Sequence, residues 1–372
     1  MNKIVITLNS SWNIINFRSG LIKALIAKGF DVIAIAPEDK YSHHIQEMGC
    51  KYISIPMKVQ GKNIFFDIYL FLRYLKIFYQ EKPDALLTFT IKPNIYGSFA
   101  ARILRIPRIN NISGLGTVFI NPGFLTKVVK YLYKLALKNA NVVFFQNIDD
   151  RTYFVREKIT KPKQSRVIPG SGINLKNFEY ARLNKPKNLG ELSFLLIARM
   201  LWDKGIEEYV NAAKIVKNES PNSKFFLLGP LDINNPVGIT LNQITQWSND
   251  GYIDYLGTSD QVSDVILLSD CIVLPSYREG VPRSLLEGAA MGRPLIATDV
   301  AGCKETIEDG SNGFLCMPRD AEDLADKMII LIKLSHEERQ LMGCKGREKV
   351  EIEFDEKIVI ENYLSAIYDA IN

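Results

Sequence analysis

The stretch Cys271-Ile-Val-Leu-Pro-Ser-Tyr-Arg-Glu-Gly-Val-Pro-Arg-Ser-Leu-Leu-Glu287 decides the fold of this chain. It passes from an apolar run, 271–275, which is typical of a buried parallel strand, into a short polar loop. Pro282 is a favoured first helical residue, so a helix is predicted from there, with Glu279 in the loop and Glu287 about a turn and a half inside. Strand, loop and helix in this order predict a βα unit of a parallel sheet.

Two carboxylates beside a helix N-terminus predict a ligand that carries hydroxyl groups on both sides of a diphosphate. The helix N-terminus offers backbone N–H groups and the positive end of the helix dipole, which favour phosphate. Glu279 and Glu287 can each accept two hydrogen bonds from a vicinal diol. A diphosphate between a ribose and a hexose is a nucleotide sugar, and the alternative is a pair of surface salt bridges.

A second strand–loop–helix segment supplies positive charge. The apolar run 192–198 is followed by Arg199-Met-Leu-Trp-Asp-Lys204-Gly205 and then by a helical period over 206–216. Arg199 and Lys204 are therefore expected at the carboxyl end of a strand, where open α/β sheets bind ligands. Two charge-assisted hydrogen bonds to phosphate can hold a departing diphosphate without a metal ion.

The same alternation of apolar runs and helical periods continues along the whole chain, which predicts parallel sheets. Because 372 residues exceed the size of one ordinary core, we expect two Rossmann-like α/β domains that face each other across a cleft. The predicted domains are residues 1–180 and 192–355, joined by a polar linker at 181–191. Strands are predicted near residues 3–8, 31–36, 51–55, 84–89, 108–112, 141–146, 165–168, 192–198, 223–229, 252–256, 271–275, 294–298 and 313–316.

Charge divides the chain sharply. Residues 1–190 carry 29 Lys and Arg against 11 Asp and Glu, a net +18, and the remainder carries 17 against 30, a net −13. The first half is thus expected to face an anionic partner, either nucleic acid or an acidic membrane surface, unless the charge is merely solvated. Four lysines at helical spacing in the segment 124–138 favour a membrane-surface helix as much as an ordinary one, whereas the apolar segment 64–79 favours an ordinary helix. The four lysines are Lys127, Lys130, Lys134 and Lys138.

Several classes of protein are disfavoured by what the sequence lacks. No apolar run approaches the ~20 residues that cross a bilayer, and the N-terminus does not have the pattern of a signal peptide. The five cysteines form no Cys-x-x-Cys pair, which favours reduced thiols in the cytosol. No Asp-x-Asp pair or histidine cluster predicts a metal site. A dehydrogenase is disfavoured because strand one is not followed by Gly-x-Gly-x-x-Gly.

The motifs Arg199-(x)4-Lys204-Gly205 and Glu279-(x)7-Glu287 together resemble the retaining glycosyltransferases of family 4, which have the GT-B fold. The resemblance covers essentially the whole chain, since further loops match that family in its order. It implies that the final helix, 356–372, crosses back to the first domain. The further matching loops are Pro169-Gly-Ser-Gly172, Leu228-Gly-Pro230, Gly302-Cys-Lys-Glu305 and Asn312-Gly-Phe314.

The resemblance also implies roles for individual residues. Glu287 would bind the ribose hydroxyls, and Glu279 the hydroxyls of the donor sugar. Arg199 and Lys204 would act in catalysis with Glu279, by stabilising the UDP leaving group. Neither a metal ion nor another cofactor is expected, because the UDP-sugar is a substrate. The distal phosphate would be held by the segment Gly280, Val281, Pro282, Arg283 and Ser284.

In two places the sequence departs from the family. Many members carry a histidine near the end of the fifth strand, where this chain has Asn110-Asn-Ile-Ser-Gly-Leu-Gly116. Ser113, or the backbone of Gly114 and Gly116, would take its place at the donor. The usual Gly-Gly loop after strand one is replaced by residues 9–18, where Asn16 and Arg18 are candidates for binding an acceptor diphosphate. Arg18 is placed at the start of a helix, and an ordinary surface arginine is the alternative.

These variant segments look most like a bacterial branch that extends polyprenyl-diphosphate-linked glycans, including N-acetylgalactosaminyl transferases of surface polysaccharide assembly. The resemblance implies transfer of an N-acetylhexosamine from a UDP-sugar to a sugar on undecaprenyl diphosphate, with an α linkage. Alternatives are UDP-galactose or UDP-glucose as donor, a GT-B sugar-nucleotide epimerase, and a non-catalytic binding module. The expected partners are the donor, the lipid-linked acceptor and the anionic inner face of the cell membrane, and nucleic acid is not expected.

Overall fold

The computed structural model describes residues 2–57, 63–116, 119, 123–184, 191–232, 235 and 237–372. The chain divides into two compact units, one comprising Met1–Gly172 with Glu356–Asn372 and the other Ile173–Asp355. Each unit contains a parallel sheet with helices packed on both faces. The predicted α/β class with two Rossmann-like sheets is therefore confirmed.

In the described part of the first unit, seven parallel strands follow the order β3-β2-β1-β4-β5-β6-β7. The strands are nearly all apolar because helices bury both faces of the sheet. In the register, Ile4 of β1 lies opposite Val32 of β2 on one side and Ala85 of β4 on the other. The strands are β1 Lys3–Thr7, β2 Asp31–Ala36, β3 Lys51–Ser54, β4 Ala85–Phe89, β5 Arg108–Ile112, β6 Val142–Phe145 and β7 Ser165–Val167.

The helices of this unit begin at local capping signals. The Ser10 side chain accepts a hydrogen bond from the Asn13 backbone N–H, so α1 begins at Ser11. Asn147 caps α6 in the same way through the Asp150 N–H. A π-helical turn, Pro93–Gly97, leads into α4. The helices are α1 Ser11–Ala27, α2 Ser42–Glu47, α3 Ile64–Glu81, α4 Ser98–Ile103, α5 Phe124–Ala136 and α6 Ile148–Arg156.

The second unit repeats this plan, with described strands in the order β10-β9-β8-β11-β12-β13. Its strand bounds agree closely with the apolar runs that predict them. The strands are β8 Ser193–Ile197, β9 Lys224–Leu228, β10 Asp254–Tyr255, β11 Cys271–Leu274, β12 Leu295–Thr298 and β13 Gly313–Cys316. The helices are α7 Ile206–Glu219, α8 Leu241–Asn249, α9 Val262–Leu267, α10 Arg283–Ala290, α11 Ala321–Lys333 and α12 His336–Glu353.

The last helix, α13 (Glu356–Ile371), belongs to the first unit. Its buried side chains, including Val359 and Ile367, join the core beneath α1. Tyr363 is fully buried, and its hydroxyl accepts a hydrogen bond of 2.8 Å from the Nδ2 atom of Asn111 in β5. The chain therefore returns to its first sheet after completing the second.

The boundary between the units lies at Gly172, not at the predicted residue 180. Ile173 donates its backbone N–H to the Phe354 carbonyl, and Phe178 packs in the second core. Arg347 of α12 donates to the Phe178 carbonyl oxygen at 2.8 Å. These contacts, rather than any change in composition, assign the segment to the second unit. Of the predicted linker 181–191, residues 185–190 lie outside the described residues.

Candidate active site

The strand order of the second unit brings the two sequence motifs together. From β8 the chain proceeds to β9 on one side, whereas β11 leads to β12 on the other side. Ligands of open α/β sheets bind at the carboxyl ends of the strands where the order reverses in this way. The loops after β8 and β11 flank that switch point. They contain the predicted residues 199–204 and 279–282, while the predicted residues 283 and 284 open the helix that follows.

Lys204 and Glu279 form an ion pair across the switch point. Lys204 ends a short 3₁₀ turn, Trp202–Lys204, and its Nζ atom lies 2.5 Å from Oε1 of Glu279. Gly205 follows with φ of +70°, and a Cβ atom there would stand 2.0 Å from the Pro275 carbonyl oxygen. Glycine thus permits the close approach of the two loops, which brings the ammonium group to the carboxylate.

The loop that carries Glu279 is held from the opposite side by a second glycine. The Glu279 backbone N–H donates to the Ala301 carbonyl at 3.0 Å. Gly302 has φ of +91°, and a Cβ atom on it would stand 2.3 Å from the Gly280 carbonyl oxygen. The Gly302 N–H donates to Oε2 of Glu305 at 2.7 Å. The family-like segment 302–305 therefore supports the loop through backbone contacts.

Helix α10 begins at Arg283, and Pro282 is its N-cap in extended conformation rather than the first helical residue as predicted. Glu287 is nevertheless in the second turn of the helix. Its Oε1 atom accepts a hydrogen bond of 2.8 Å from Nε of Arg283, at the i, i+4 spacing. Burial raises the pKa of the Glu287 carboxyl, and the adjacent Arg283 offsets part of that shift. The pair thus places one cation and one carboxylate in the first two turns of α10.

Arg199 pairs with a different carboxylate, that of Asp232. Its side chain is 57% exposed, and Nη1 lies 3.8 Å from Oδ2 of Asp232. The structure thus forms the pairs Lys204–Glu279 and Arg283–Glu287, while Arg199 contacts a third carboxylate that the sequence interpretation did not consider.

Tyr277 is a further residue that sequence reasoning missed. Its hydroxyl donates to Oε1 of Glu208 at 2.6 Å, and the Arg319 guanidinium lies 4.6 Å from the centre of its ring. Its backbone N–H donates to the Asp203 carbonyl, which ties the two loops together. Burial and then Glu208 raise the pKa of Tyr277, so the phenol stays protonated and acts as a donor. The sequence signal was slight, an aromatic residue beside Arg278.

In the first unit, Ser113 lies just beyond the carboxyl end of β5. Its hydroxyl donates to Oδ1 of Asn111 at 2.9 Å, so the buried asparagine connects Ser113 to Tyr363 of α13. Gly114 and Gly116 both have positive φ, +117° and +69°. The segment predicted to replace the family histidine is therefore a loop with glycine-specific backbone, anchored through Asn111.

Arg18 does not lie at the start of a helix, as the sequence suggested, because α1 already begins at Ser11. It lies in the third turn and is only 4% exposed. Its guanidinium stands 4.2 Å from the centre of the Phe89 ring, so the alternative of an ordinary surface arginine is wrong. Asn16, one half-turn earlier, donates from Nδ2 to the Trp12 carbonyl oxygen.

Relatives of known activity identify the family. The chain is 32% identical over 96% of its length, and 96% of the relative's, to N,N'-diacetylbacillosaminyl-diphospho-undecaprenol alpha-1,3-N-acetylgalactosaminyltransferase of Campylobacter jejuni. It matches the family "Glycosyl transferases group 1" over residues 191–333 and the family "Glycosyl transferase 4-like" over residues 4–147.

The chain belongs to the group 1 glycosyltransferases. It is also similar to UDP-Gal:alpha-D-GlcNAc-diphosphoundecaprenol alpha-1,3-galactosyltransferase of Escherichia coli, at 24% identity over 81% of this chain and 79% of that one. The predicted family resemblance is confirmed, and this glycosyltransferase is an enzyme rather than a binding module.

Solved structures agree on the fold of this glycosyltransferase. Sucrose-phosphate synthase from Thermosynechococcus elongatus aligns with a TM-score of 0.80 at 21% identity, covering 99% of this chain and 98% of that one. Anabaena Alr3699/HepE, solved in complex with UDP and glucose, aligns with a TM-score of 0.79 at 16% identity, covering 99% and 100%. The predicted GT-B fold is confirmed.

The lysines of α5 divide into two groups. Lys127 and Lys134 are exposed on the helix, together with the large side chains of Phe124 and Tyr131. Lys130 instead pairs with Oε2 of Glu157 at 2.8 Å, and Lys138 lies just beyond the end of the helix. Within the described residues of this glycosyltransferase, no helix is both long and apolar enough to span a bilayer.

Proposed function

We propose that this glycosyltransferase transfers an N-acetylhexosamine, N-acetylgalactosamine in the first instance, from a UDP-sugar to a sugar on undecaprenyl diphosphate. The observation that carries the proposal is a pair of ion pairs: Lys204–Glu279 involves the loop before α10, and Arg283–Glu287 lies in the first two turns of α10. The activities of the relatives from Campylobacter jejuni and Escherichia coli, both of which act on undecaprenol-linked diphospho-sugars, support the choice of acceptor.

The two ion pairs suit a diphosphate flanked by two diols. Glu287 binds the ribose hydroxyls, and Arg283 orients this carboxylate and offsets part of the rise in its pKa that burial causes. Glu279 accepts hydrogen bonds from the donor sugar. Lys204, which contacts Glu279 in this structure, turns to the diphosphate when the donor enters. Because the two glycine contacts fix the loops that carry Lys204 and Glu279, only the Lys204 side chain has to move, and it does so on donor binding, before charge develops on the leaving group.

In the transfer step, the bond between the anomeric carbon of the sugar and the β-phosphate oxygen of UDP breaks. The acceptor hydroxyl forms its new bond on the same face, which retains the α configuration. The hydroxyl proton passes to the departing phosphate oxygen. Lys204 and Arg199 stabilise the negative charge of UDP, with Arg199 leaving Asp232 to do so. Backbone N–H groups of the segment 280–284, in which Pro282 contributes no donor, hold the distal phosphate.

A donor and acceptor panel tests this proposal. The full chain is incubated with UDP-N-acetylgalactosamine, UDP-N-acetylglucosamine, UDP-galactose or UDP-glucose and an undecaprenyl-diphosphate-linked sugar, and the product linkage is determined by NMR. We expect an α-linked product with one UDP released per bond formed. A β-linked product or no turnover with any pair would refute it. Interconversion of UDP-N-acetylglucosamine without acceptor would instead indicate an epimerase.

We also propose that α5 holds the enzyme at an anionic membrane surface. Lys127 and Lys134 are exposed beside Phe124 and Tyr131, so cations and apolar side chains occupy one accessible helix. Each cation near an anionic bilayer contributes about 1 kcal/mol of binding free energy. Lys130 contributes less, because Glu157 neutralises it.

Co-sedimentation with phosphatidylglycerol vesicles tests the membrane proposal. We expect binding that weakens with salt, since screening acts over ~8 Å at physiological ionic strength. Replacing Lys127 and Lys134 by Ala should weaken binding, whereas replacing two exposed lysines of the second unit, Lys224 and Lys345, should not. Equal effects of the two double variants, or equal binding to neutral vesicles, would contradict the proposal.

A further inference from the structure

The outer surfaces of α3 and α4 form an open groove with a volume of about 540 Å³. Its walls are mainly hydrocarbon, from Ile68 and Phe71 of α3 and from Phe99 and Ile103 of α4. Ile68 is 49% exposed and Ile103 is 61% exposed. Large aliphatic side chains on both walls of one groove create a contiguous apolar surface, which in folded proteins usually has a binding role.

The acidic group that lines the groove is already paired within the protein. Asp67 accepts hydrogen bonds from Nζ of Lys92 at 2.6 Å and from the Tyr96 hydroxyl at 2.9 Å. The Lys92 and Asp67 side chains are only 13% and 14% exposed, so the pair belongs to the wall rather than to the opening. A ligand of this groove is therefore expected to contribute hydrocarbon.

The groove lies near the edge of the sheet that binds ligands in α/β proteins. Because β3 and β4 are parallel strands of one sheet, α3 must run back between them from the carboxyl edge, and it begins there, at Ile64. Ile68 and Phe71 follow within about 6–10 Å along the helix axis. A hydrocarbon chain in the groove can thus extend toward an anionic group bound at the carboxyl edge.

The charges around the groove distinguish between occupants. The segments 98–103 (α4) and 124–136 (α5) contain no Asp or Glu, and they carry the cations Arg102, Lys127 and Lys134 besides Lys130, which pairs with Glu157. Arg102 connects the two helices through a hydrogen bond from Nη1 to the Leu135 carbonyl. A second copy of this chain would bring like charges together, which opposes association, whereas an apolar chain attached to an anionic group is complementary to the surface.

We propose that the α3–α4 groove binds the isoprenoid chain of the lipid-linked acceptor, in the part next to its diphosphate. This inference rests on the proposed function for the identity of the acceptor. The groove itself contains none of the residues of the two ion pairs Lys204–Glu279 and Arg283–Glu287, which belong to the second unit. The isoprenoid chain adds apolar contact that an acceptor without lipid cannot make, so it lowers KM rather than raising kcat.

Two single variants of α3 test the groove. Ile68→Ser removes an apolar side chain from one wall of the groove. Leu72→Ser is the control, because Leu72 is 52% exposed, close to the 49% of Ile68, but does not line the groove. The probe is a fluorescent geranylgeranyl diphosphate that carries no sugar, titrated without vesicles. We expect Ile68→Ser to weaken probe binding about tenfold, because the probe buries less apolar surface against serine than against isoleucine. Leu72→Ser should have little effect. Ile103→Ser, on the other wall, should behave like Ile68→Ser.

Kinetics with two acceptors complete the test. Ile68→Ser should raise KM for the undecaprenyl acceptor and leave kcat/KM unchanged for the same sugar diphosphate without an isoprenoid chain. If wild type, Ile68→Ser and Leu72→Ser bound the probe equally, the groove would not be the binding site of the isoprenoid chain, even if the enzyme transfers sugar. Loss of a dimer in light scattering for Ile68→Ser would also overturn it. If wild type transfers no sugar yet binds the probe in an Ile68-dependent way, the proposed function fails and the hydrocarbon site stands.

Discussion

The carboxyl edges of the two sheets are built from different chemistry. In the second unit the loops at this edge carry the ion pairs Lys204–Glu279 and Arg283–Glu287. In the first unit the ends of β4 and β5 carry neutral side chains that bond one another. There Asn110 donates from Nδ2 to Thr88 at 2.6 Å and to Ser98 at 2.7 Å, and Asn111 donates to Tyr363.

The difference reflects what each edge must do. Charged pairs at a partly exposed edge can exchange one partner for a ligand, because water and the ligand both compete for them. A buried neutral network cannot exchange partners cheaply, since each group left unpaired costs about 1–3 kcal/mol. We therefore infer that the second edge binds and activates the donor, whereas the first edge is a rigid support that fixes Ser113 and α13.

Replacing Lys204 by Met should produce the largest loss of activity. We expect kcat/KM to fall by about 10²–10³-fold, as when one preorganised group that stabilises charge is removed. The free energy of unfolding should fall as well, because the Lys204 and Glu279 side chains are only 15% and 16% exposed and the variant removes the cation that faces this carboxylate. Lys224→Met is the matched control in the same unit. A tenfold or smaller loss of activity would show that Lys204 does not stabilise the leaving group.

Gly205→Ala should cost the second unit stability as well as activity. The new Cβ would meet the Pro275 carbonyl, and the left-handed backbone adds strain, so we expect a loss of about 3 kcal/mol in the free energy of unfolding. In Gly251→Ala, φ is similar at +75° and no described atom lies within 4 Å of the added carbon. That control should lose only about 1 kcal/mol. Equal losses in urea denaturation would exclude the close approach as the cause.

Tyr363→Phe, in the first unit, should reduce stability but retain activity, whereas the main effect of Lys204→Met is on activity. The variant leaves the buried Nδ2 of Asn111 without its phenol partner, which costs about 1–2 kcal/mol. Tyr368→Phe on the same helix is the control, because that side chain is 42% exposed. If Tyr363→Phe lowered kcat/KM as much as Lys204→Met, the assignment of a supporting role to the first edge would be wrong.

Arg283→Met should change the pH dependence of UDP binding rather than abolish binding. Burial raises the pKa of Glu287 and Arg283 lowers it, so removing Arg283 raises this pKa further. As the pH falls, the variant should lose UDP affinity at a higher pH than wild type, measured by calorimetry. The free energy of unfolding should change with pH in the opposite direction to UDP affinity. Because the pKa of Glu287 is higher in the folded than in the unfolded protein, the free energy of unfolding falls as the pH rises from the unfolded pKa through the folded pKa. Lys349→Met, which breaks the Lys349–Glu353 pair at the same spacing, should leave both profiles unchanged.

Much of the fold could be predicted because its signals are local. Apolar runs such as 31–36 and 313–316 coincide with β2 and β13, and the strand–loop–helix order of 271–287 identifies β11 and α10. The candidate donor residues could be proposed from the sequence because a helix N-terminus and its flanking carboxylates are encoded within a few positions. The predicted position of Arg18 at the start of a helix was wrong, and the units divide at Gly172 rather than at residue 180, since both features depend on packing against distant segments.

The sequence by itself determined the βα repeat, the two-unit organisation and the chemistry of residues 199–204 and 279–287, because periodicity and loop composition act over short distances along the chain. Only the tertiary structure decided that Tyr277 meets Glu208, that Asn111 reaches Tyr363 and that α3 presents apolar side chains outward. Those pairings depend on strand order and helix packing, which join residues far apart in the chain. When a helix such as α3 is apolar on nearly all sides, its sequence does not predict which face stays exposed to solvent.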